Sequence, residues 1–180
     1  GIYGSNEAVI TLDGKNVLIF AGGPATGSTI WGGCRYGVFT KSPLTGMYSE
    51  SYSGGRVPEA LDAAGFDAVV IRGKSDVPLV LSVYPGGALF HEAPDLWGKE
   101  TYETEAIVPE RFGPAAGDFK KRGAVVIGPA GESLVRFAVI ANDCWRCAGR
   151  TGVGTVMGSK RLKAVLFQGD RKRSVFDVAA

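Results

Sequence analysis

Fifteen residues toward the C-terminal end, Cys144 to Gly158 (CWRCAGRTGVGTVMG), hold two arginines, two cysteines and four glycines. Arg146 and Arg150 are permanent cations whose forked donors match phosphate or carboxylate. The helix expected over Gly152–Arg161 would turn its free N–H groups and the positive end of its dipole back toward that loop. Gly149, Gly152 and Gly154 stand where a glycine lets the backbone come close to a ligand. The spacing describes an anion site at a loop-to-helix junction.

Cys144-x-x-Cys147 has the spacing of a thioredoxin-like redox pair and of half a zinc site. A zinc site needs two more ligands, and the chain offers only Cys34, His91 and carboxylates, with no second paired spacing. A dithiol needs Cys144 at a helix N-terminus. Two inert or cofactor-facing thiols are the third reading, and Cys34, beside Arg35, reads as buried strand. His91 is the single histidine, so any Ser-His-Asp or Cys-His triad must use it; lying in a hairpin far from the Gly-rich loops, it reads as a surface or core histidine. Lys160, Arg161 and Lys163, and Arg171 to Arg173, are clusters too short to indicate nucleic acid over a solvated helix end and a linker.

The elements that must position these residues follow from punctuation by glycine and proline. Glycine makes up 27 of 180 residues, with no collagen-like period, about twice the ordinary share, so tight turns are many. Ala8–Leu12 reads as a strand before an Asp13-Gly14 turn. Buried strands are expected at Asn16–Ala21, Phe66–Arg72, Ala124–Ile127, Leu134–Ala141 and Ala164–Phe167. Further strands are expected at Cys34–Lys41 and Met47–Tyr52, and a hairpin at Val77–Tyr84 and Ala88–His91. Helices are expected after Ser53-Gly54-Gly55, with Val57, Leu61 and Ala64 inward, and over Trp97–Phe112, with Tyr102, Ala106, Ile107 and Phe112 inward. Ala115–Arg122 reads as a polar loop. A net charge of +2 does not call for a nucleic-acid partner, and no apolar run reaches a membrane span of about 20 residues. Three cysteines give no disulfide framework, so a reducing, cytoplasmic compartment is expected. The chain opens without Met, and residues 170–180 read as a linker toward something further on.

Two stretches share order and content: an apolar strand, Gly-Pro, a second strand, a Gly-led helix and a closing strand, over about 16–73 and again over 124–169. Residues 77–112 read as a hairpin-and-helix insertion between them. One supersecondary unit used twice implies pseudo-twofold symmetry, and the expected fold class is α+β: two sheet-and-helix repeats, layered sheets flanked by helices. Two anion-binding helix ends could then face a single ligand, or two copies of one.

Six collinear strings carry a family resemblance: GGCRYGVFTKSPLTG (Gly32–Gly46), SGG (Ser53–Gly55), AGFDAVVIRGKS (Ala64–Ser75), LWGKETYETE (Leu96–Glu105), IGPAGESLVRFAVIAND (Ile127–Asp143) and AGRTGVGTVMGSKRLKAV (Ala148–Val165). Together they resemble the N-terminal domain of the aldehyde ferredoxin oxidoreductases, with residues 1–169 as that domain. The resemblance implies that the two sheet-and-helix repeats are intertwined and form a base domain for a tungstopterin (bis-pterin) or molybdopterin cofactor. It also implies an activity that oxidises aldehydes to carboxylic acids. Electrons would leave through a 4Fe-4S cluster, whose ligands lie outside this chain, to ferredoxin or a similar acceptor.

By family motif the pterin contacts are Arg35, Tyr52 and Gly54 in the first half, and Arg146, Cys147, Gly149 and Arg150 in the second. Mg2+ between the pterin phosphates would meet the main-chain carbonyls of Tyr52 and Cys147. No catalytic residue is assigned. The pattern departs at Tyr52, where the family has Asn, at Cys147, where it has Ala, and at Cys144 and Trp145, which replace smaller or polar residues. Implied partners are the remaining domains, the electron acceptor and the aldehyde, with neither nucleic acid nor membrane, and a homodimer is left open. The alternative is a stand-alone module that binds a phosphorylated or pterin ligand without catalysis; a CxxC redox protein is the third.

Overall fold

The computed structural model describes residues 12–172. The strand expected at Ala8–Leu12, apart from Leu12, and the tail beyond Lys172 lie outside the described residues. The Asp13-Gly14 turn is present, with the Asp13 carboxylate accepting from the Lys15 main-chain N–H at 2.8 Å.

Chain order is β1 (Leu18–Gly22), β2 (Arg35–Lys41), β3 (Tyr48–Gly54), α1 (Arg56–Ala63), β4 (Ala68–Ile71), β5 (Leu79–Tyr84), β6 (Gly87–Glu92), a short 3-10 turn at Pro94–Leu96, α2 (Thr101–Phe112), β7 (Lys121–Val126), α3 (Pro129–Glu132), β8 (Ile140–Asn142), β9 (Arg146–Ala148), α4 (Val153–Ser159) and β10 (Leu162–Gly169). One sheet runs β3-β2-β1-β4 and the other β6-β5-β10-β7-β8-β9. Replacing β1, β2, β3 and β4 by β7, β8, β9 and β10 turns the first order into the last four strands of the second, read in reverse. Every corresponding pair is antiparallel. The repeat therefore exists as topology. The hairpin β5–β6 and α2 have no counterpart in the first half; β5 joins the second sheet by a parallel pairing with β10.

The two halves interlock through their helices. In α1, Val57, Ala60 and Leu61 form one buried face, Pro58 sits in the first turn where its missing N–H costs nothing, and Gly65 ends the helix at φ 88°. That face packs on β7 and β10, the sheet of the other half. The approach is close: a side chain at Gly123 would start 2.7 Å from Val57 Cα, and one at Gly169 2.2 Å from the Ala63 carbonyl oxygen. In return α4 packs on β1 and β2 as well as on β8 and β10. Phe20 and Tyr36 from one half and Val125, Ile140, Met157 and Phe167 from the other share one core, with Phe20 and Phe167 edge-to-face at 5.8 Å. A second cluster, including Leu96, Val108, Phe112 and Leu166, lies under α2.

Several expectations are corrected. The apolar run at Phe66–Arg72 forms β4, an edge strand with Val70 51% exposed, rather than a buried one; unbroken apolarity does not reveal whether a neighbour covers the second face. Of Leu134–Ala141 only the end is strand: Leu134 has φ 57° and a turn follows, so pairing starts at Ile140. The helix expected from Trp97 starts at Thr101, and it turns Thr104, Glu105, Val108 and Phe112 inward while Tyr102 and Ala106 face out. The polar loop ends at Lys121, where β7 begins. Lys160 and Lys163 are buried rather than solvated. Lys163 Nζ meets Glu132 and donates to the Lys99 carbonyl at 2.7 Å, and Lys160 Nζ donates to the carbonyls of Asn16 and Gly73.

Candidate functional site

The site forms where β2 and β3 meet the β8–β9 hairpin. On β3 the side chains alternate: Ser49, Ser51 and Ser53 are buried, and Tyr48, Glu50 and Tyr52 are exposed. Cross-strand register pairs Arg35 with Gly54 and Gly37 with Tyr52. Arg35, Gly54 and Tyr52 therefore share the outward face. A cavity of about 360 Å³ opens there, walled by Gly22 to Thr26, Arg35, Phe39 and Tyr52. The Tyr52 hydroxyl donates to Glu50 at 3.1 Å, and its ring meets Phe39 edge-on at 6.0 Å.

The second half arrives across the serines. The Arg150 main-chain N–H donates to Ser51 Oγ at 3.2 Å, Thr151 Oγ1 pairs with Ser49 Oγ, and the Thr151 carbonyl accepts from Ser42 Oγ at 2.7 Å. Asn142 is fully buried and joins Tyr36, Ser53, Gly54 and Asp143. A side chain added at Gly54 would start 3.4 Å from Arg146 Nη1 and 3.5 Å from Arg35 Cδ. Arginines that lie 111 positions apart in the chain thus flank one glycine. That added atom would also sit 2.9 Å from the Cys34 carbonyl oxygen, so only glycine fits.

Among the described residues no ion pair or side-chain hydrogen bond engages the guanidiniums of Arg35, Arg146 or Arg150. Arg56 differs: its Nε donates to Asp143 Oδ1 and its main-chain N–H to Asp143 Oδ2, both at 2.7 Å. Burial pushes the Asp143 carboxyl up, but the hydrogen bonds from Arg56 and Asn142 outweigh it and hold it below the usual range. The carboxylate is thereby spent on Arg56 and on the start of α1, leaving these three cations without a counter-charge among the described residues.

The structure divides the sequence-derived glycines. Gly152 and Gly154 serve packing, since side chains there would start 2.0 Å from the Arg136 carbonyl oxygen and 2.2 Å from that of Val139. The Gly154 N–H donates to the Ala138 carbonyl at 3.0 Å, and all of α4 is buried. The expectation that this helix offers its N-terminus to a ligand is therefore corrected: segment 136–139 covers it. Gly149 stands apart. It is exposed, and an added side chain would meet only Val139 and Cys147 at ordinary contact, 3.4 and 3.8 Å. Nothing inside the protein requires a glycine there.

The cysteines are also resolved. Cys144 sits in the tip of the β8–β9 hairpin at φ 60°, after Asp143 at φ 47°, and not at a helix N-terminus. Its N–H donates to the buried Glu105 at 3.0 Å. Burial pushes the Cys147 thiol up, the reverse of what a reactive dithiol needs. Register puts Arg146 opposite Asn142 and Cys147 opposite Ala141, so alternation sends the Cys147 side chain to the other face and leaves its main chain beside the arginines. Cys34 is exposed rather than buried, donating to the Gly55 carbonyl at 2.9 Å. His91 lies on β6 with its ring 5.0 Å from Phe112, in a separate part of the fold, and burial lowers its pKa. Sequence reasoning missed Asn142, Asp143 and Arg56; the signal was an Asn-Asp pair at a strand end, where short polar side chains tolerate left-handed backbone.

Over residues 4–169 the chain matches the family model described as aldehyde ferredoxin oxidoreductase, N-terminal domain. The chain belongs to that family. It is 43% identical over 172 residues to the tungsten-containing aldehyde ferredoxin oxidoreductase of Pyrococcus furiosus, covering 96% of this chain and 28% of that protein. The enzyme of the same name from Pyrococcus abyssi is 45% identical over 163 residues, covering 91% and 26%. The WOR-like subunit of the aliphatic sulfonate oxidoreductase of Pyrococcus furiosus is 34% identical over 173 residues, covering 91% and 27%. Among solved structures, the active-site complex BamBC of benzoyl coenzyme A reductase, in complex with 1,5-dienoyl-CoA, superposes with a TM-score of 0.84 at 34% identity, covering 91% of this chain and 24% of that one. The chain spans about a quarter of the length of these relatives. The family implied by the six collinear strings is the family found, and it is one of tungsten-containing enzymes.

Proposed function

We propose that this chain is the base on which a full-length enzyme seats a tungstopterin or molybdopterin cofactor, the whole oxidising aldehydes to carboxylic acids. Two electrons per aldehyde leave through a 4Fe-4S cluster, held by residues outside this chain, to ferredoxin or a similar acceptor. The observation that carries the reading is the set of three guanidiniums that have no counter-charge among the described residues, drawn from both halves around Gly54 and beside the open Gly149. Arginine forks suit the phosphates of a bis-pterin, and both glycines stand where a side chain would intrude on a ligand.

In this reading Arg35 and Gly54 hold one pterin phosphate, and Arg146, Gly149 and Arg150 the other. Among the described residues no cluster of histidine, cysteine and carboxylate suits a metal ion. As the family resemblance implies, Mg2+ at this place would be held by phosphate oxygens together with the main-chain carbonyls of Tyr52 and Cys147. Their departures from the family pattern then alter the rim of the site more than the ion's contacts. When bound, the cofactor supplies the redox-active metal, while this chain binds, orients and neutralises. The Tyr102 ring meets the exposed Trp145 edge-on at 5.9 Å, so aromatic surface borders the hairpin tip.

The test is elemental analysis with a pterin assay on the full-length protein. Tungsten or molybdenum together with pterin is expected. Absence of both metals and of pterin overturns the proposal.

A further inference from the structure

We infer that Asn142 is a positioning residue whose buried carboxamide sets the distance between the arginine of one half and the arginine of the other. This deepens the cofactor-base reading and rests on it. A carboxamide offers two N–H donors and an oxygen that accepts twice, and Asn142 uses all four. Its Nδ2 donates to the Gly54 carbonyl at 2.8 Å and to Asp143 Oδ2 at 2.9 Å. Its Oδ1 accepts from the Tyr36 hydroxyl at 2.9 Å and from Ser53 Oγ at 3.0 Å. The orientation is fixed by chemistry, because a carbonyl and a carboxylate only accept, and turning the amide over would set oxygen against both.

The leverage comes from register. Asn142 is the cross-strand partner of Arg146, and Gly54 is that of Arg35. One hydrogen bond, from Nδ2 to the Gly54 carbonyl, therefore joins the two arginine-bearing strand pairs across an interval of 88 residues. The second donor holds Asp143 in the place where it engages Arg56, so that this carboxylate does not neutralise Arg146 instead. Aspartate has the same shape and neither donor. Glutamine is one carbon too long for a fully enclosed site. Tyr36 and Ser53, both buried, brace the amide from behind.

The test uses the full-length protein in four forms: wild type, Asn142→Asp, Tyr36→Phe, and Val165→Ala as a core control on β10, whose cross-strand partners are Leu81 and Val125. Three quantities are read: pterin per mole of folded protein, thermal midpoint, and, on cofactor-free protein, the concentration of inorganic pyrophosphate that half-saturates its thermal upshift. Asn142→Asp is expected to lower pterin content and pyrophosphate affinity by about tenfold or more, the scale on which supporting contacts act at metal sites. Tyr36→Phe is expected to lower both by less, and Val165→Ala to keep both despite a lower midpoint. Where Asn142→Asp yields no folded protein, Tyr36→Phe decides. Losses that merely track the midpoint across all variants, or variants that keep wild-type values, overturn the inference. A wild type that has no pterin and no pyrophosphate response fails at the earlier step and removes the ground for this one.

Discussion

At the residue scale the glycines divide into those that packing requires and one that it does not. Gly154→Ala drives a methyl group into the Val139 carbonyl at 2.2 Å, an overpacking that costs about 1–3 kcal/mol or more because backbone must move. Gly149→Ala meets only ordinary contacts, so stability should stay within about 0.5 kcal/mol of wild type. Pterin retention in the full-length protein should show the opposite order, with Gly149→Ala losing more than its stability explains. Chemical unfolding and a pterin assay on the same preparations check both. Sequence alone gave the two glycines one role, because a GxxGxG spacing does not tell which glycine faces a carbonyl and which faces solvent. Arg146 and Arg150 stood out in the sequence because forked cations beside glycines suit an anion, whereas Arg35, on a strand, stood out only through the family resemblance. Asn142 was not, since its value depends on a partner 88 residues away.

At the element scale the buried lysines report how the ends of strands are tied. Lys160 closes the space beyond the starts of β1 and β10 by donating to the Asn16 and Gly73 carbonyls. Burial lowers its pKa to about 8, against a smaller opposing pull from Asp13. The unfolded chain keeps that proton up to about pH 10.4. Between pH 8 and that value the unfolded state binds more protons than the folded one, so this lysine makes stability rise with pH. Chemical-denaturation curves taken across that window should show the rise in wild type and a flatter profile in Lys160→Met. In sequence the same lysine looked solvated, because it ends a helix and lies in a basic cluster. What hides it is the return of the chain at Gly73, a contact that no local pattern announces. β4 erred the other way: its apolar run is genuine, but the sheet stops there.

At the scale of the whole molecule, the repeat was legible in the order of elements and the intertwining was expected through the family resemblance, but which helix rests on which sheet was not legible. Two similar segments could as well have packed as separate lobes, each helix on its own sheet. The close approaches at Gly123 and Gly169 decide for the crossed arrangement. As a quarter of its relatives' length, this chain leaves Trp31 fully exposed and Trp145 86% exposed, aromatic surface of the kind that other domains or a ligand cover. The isolated 180-residue chain is accordingly expected to show no aldehyde-dependent dye reduction. Steady turnover by that chain alone would contradict the division of labour proposed above.

The crossing of α1 onto β7 and β10 also bears on biosynthesis. While the first half is being made, the surface on which α1 finally rests does not yet exist, and its apolar face must wait until the chain has reached Gly169. Contacts of such sequence separation form late and slowly. The nascent domain therefore passes through an interval in which Val57 and Leu61 have no resting place, a stage at which chaperone capture or premature association competes with folding. On the reading proposed for this site, cofactor loading comes after that interval, because Arg35 and Arg146 become neighbours only once both halves have closed on each other.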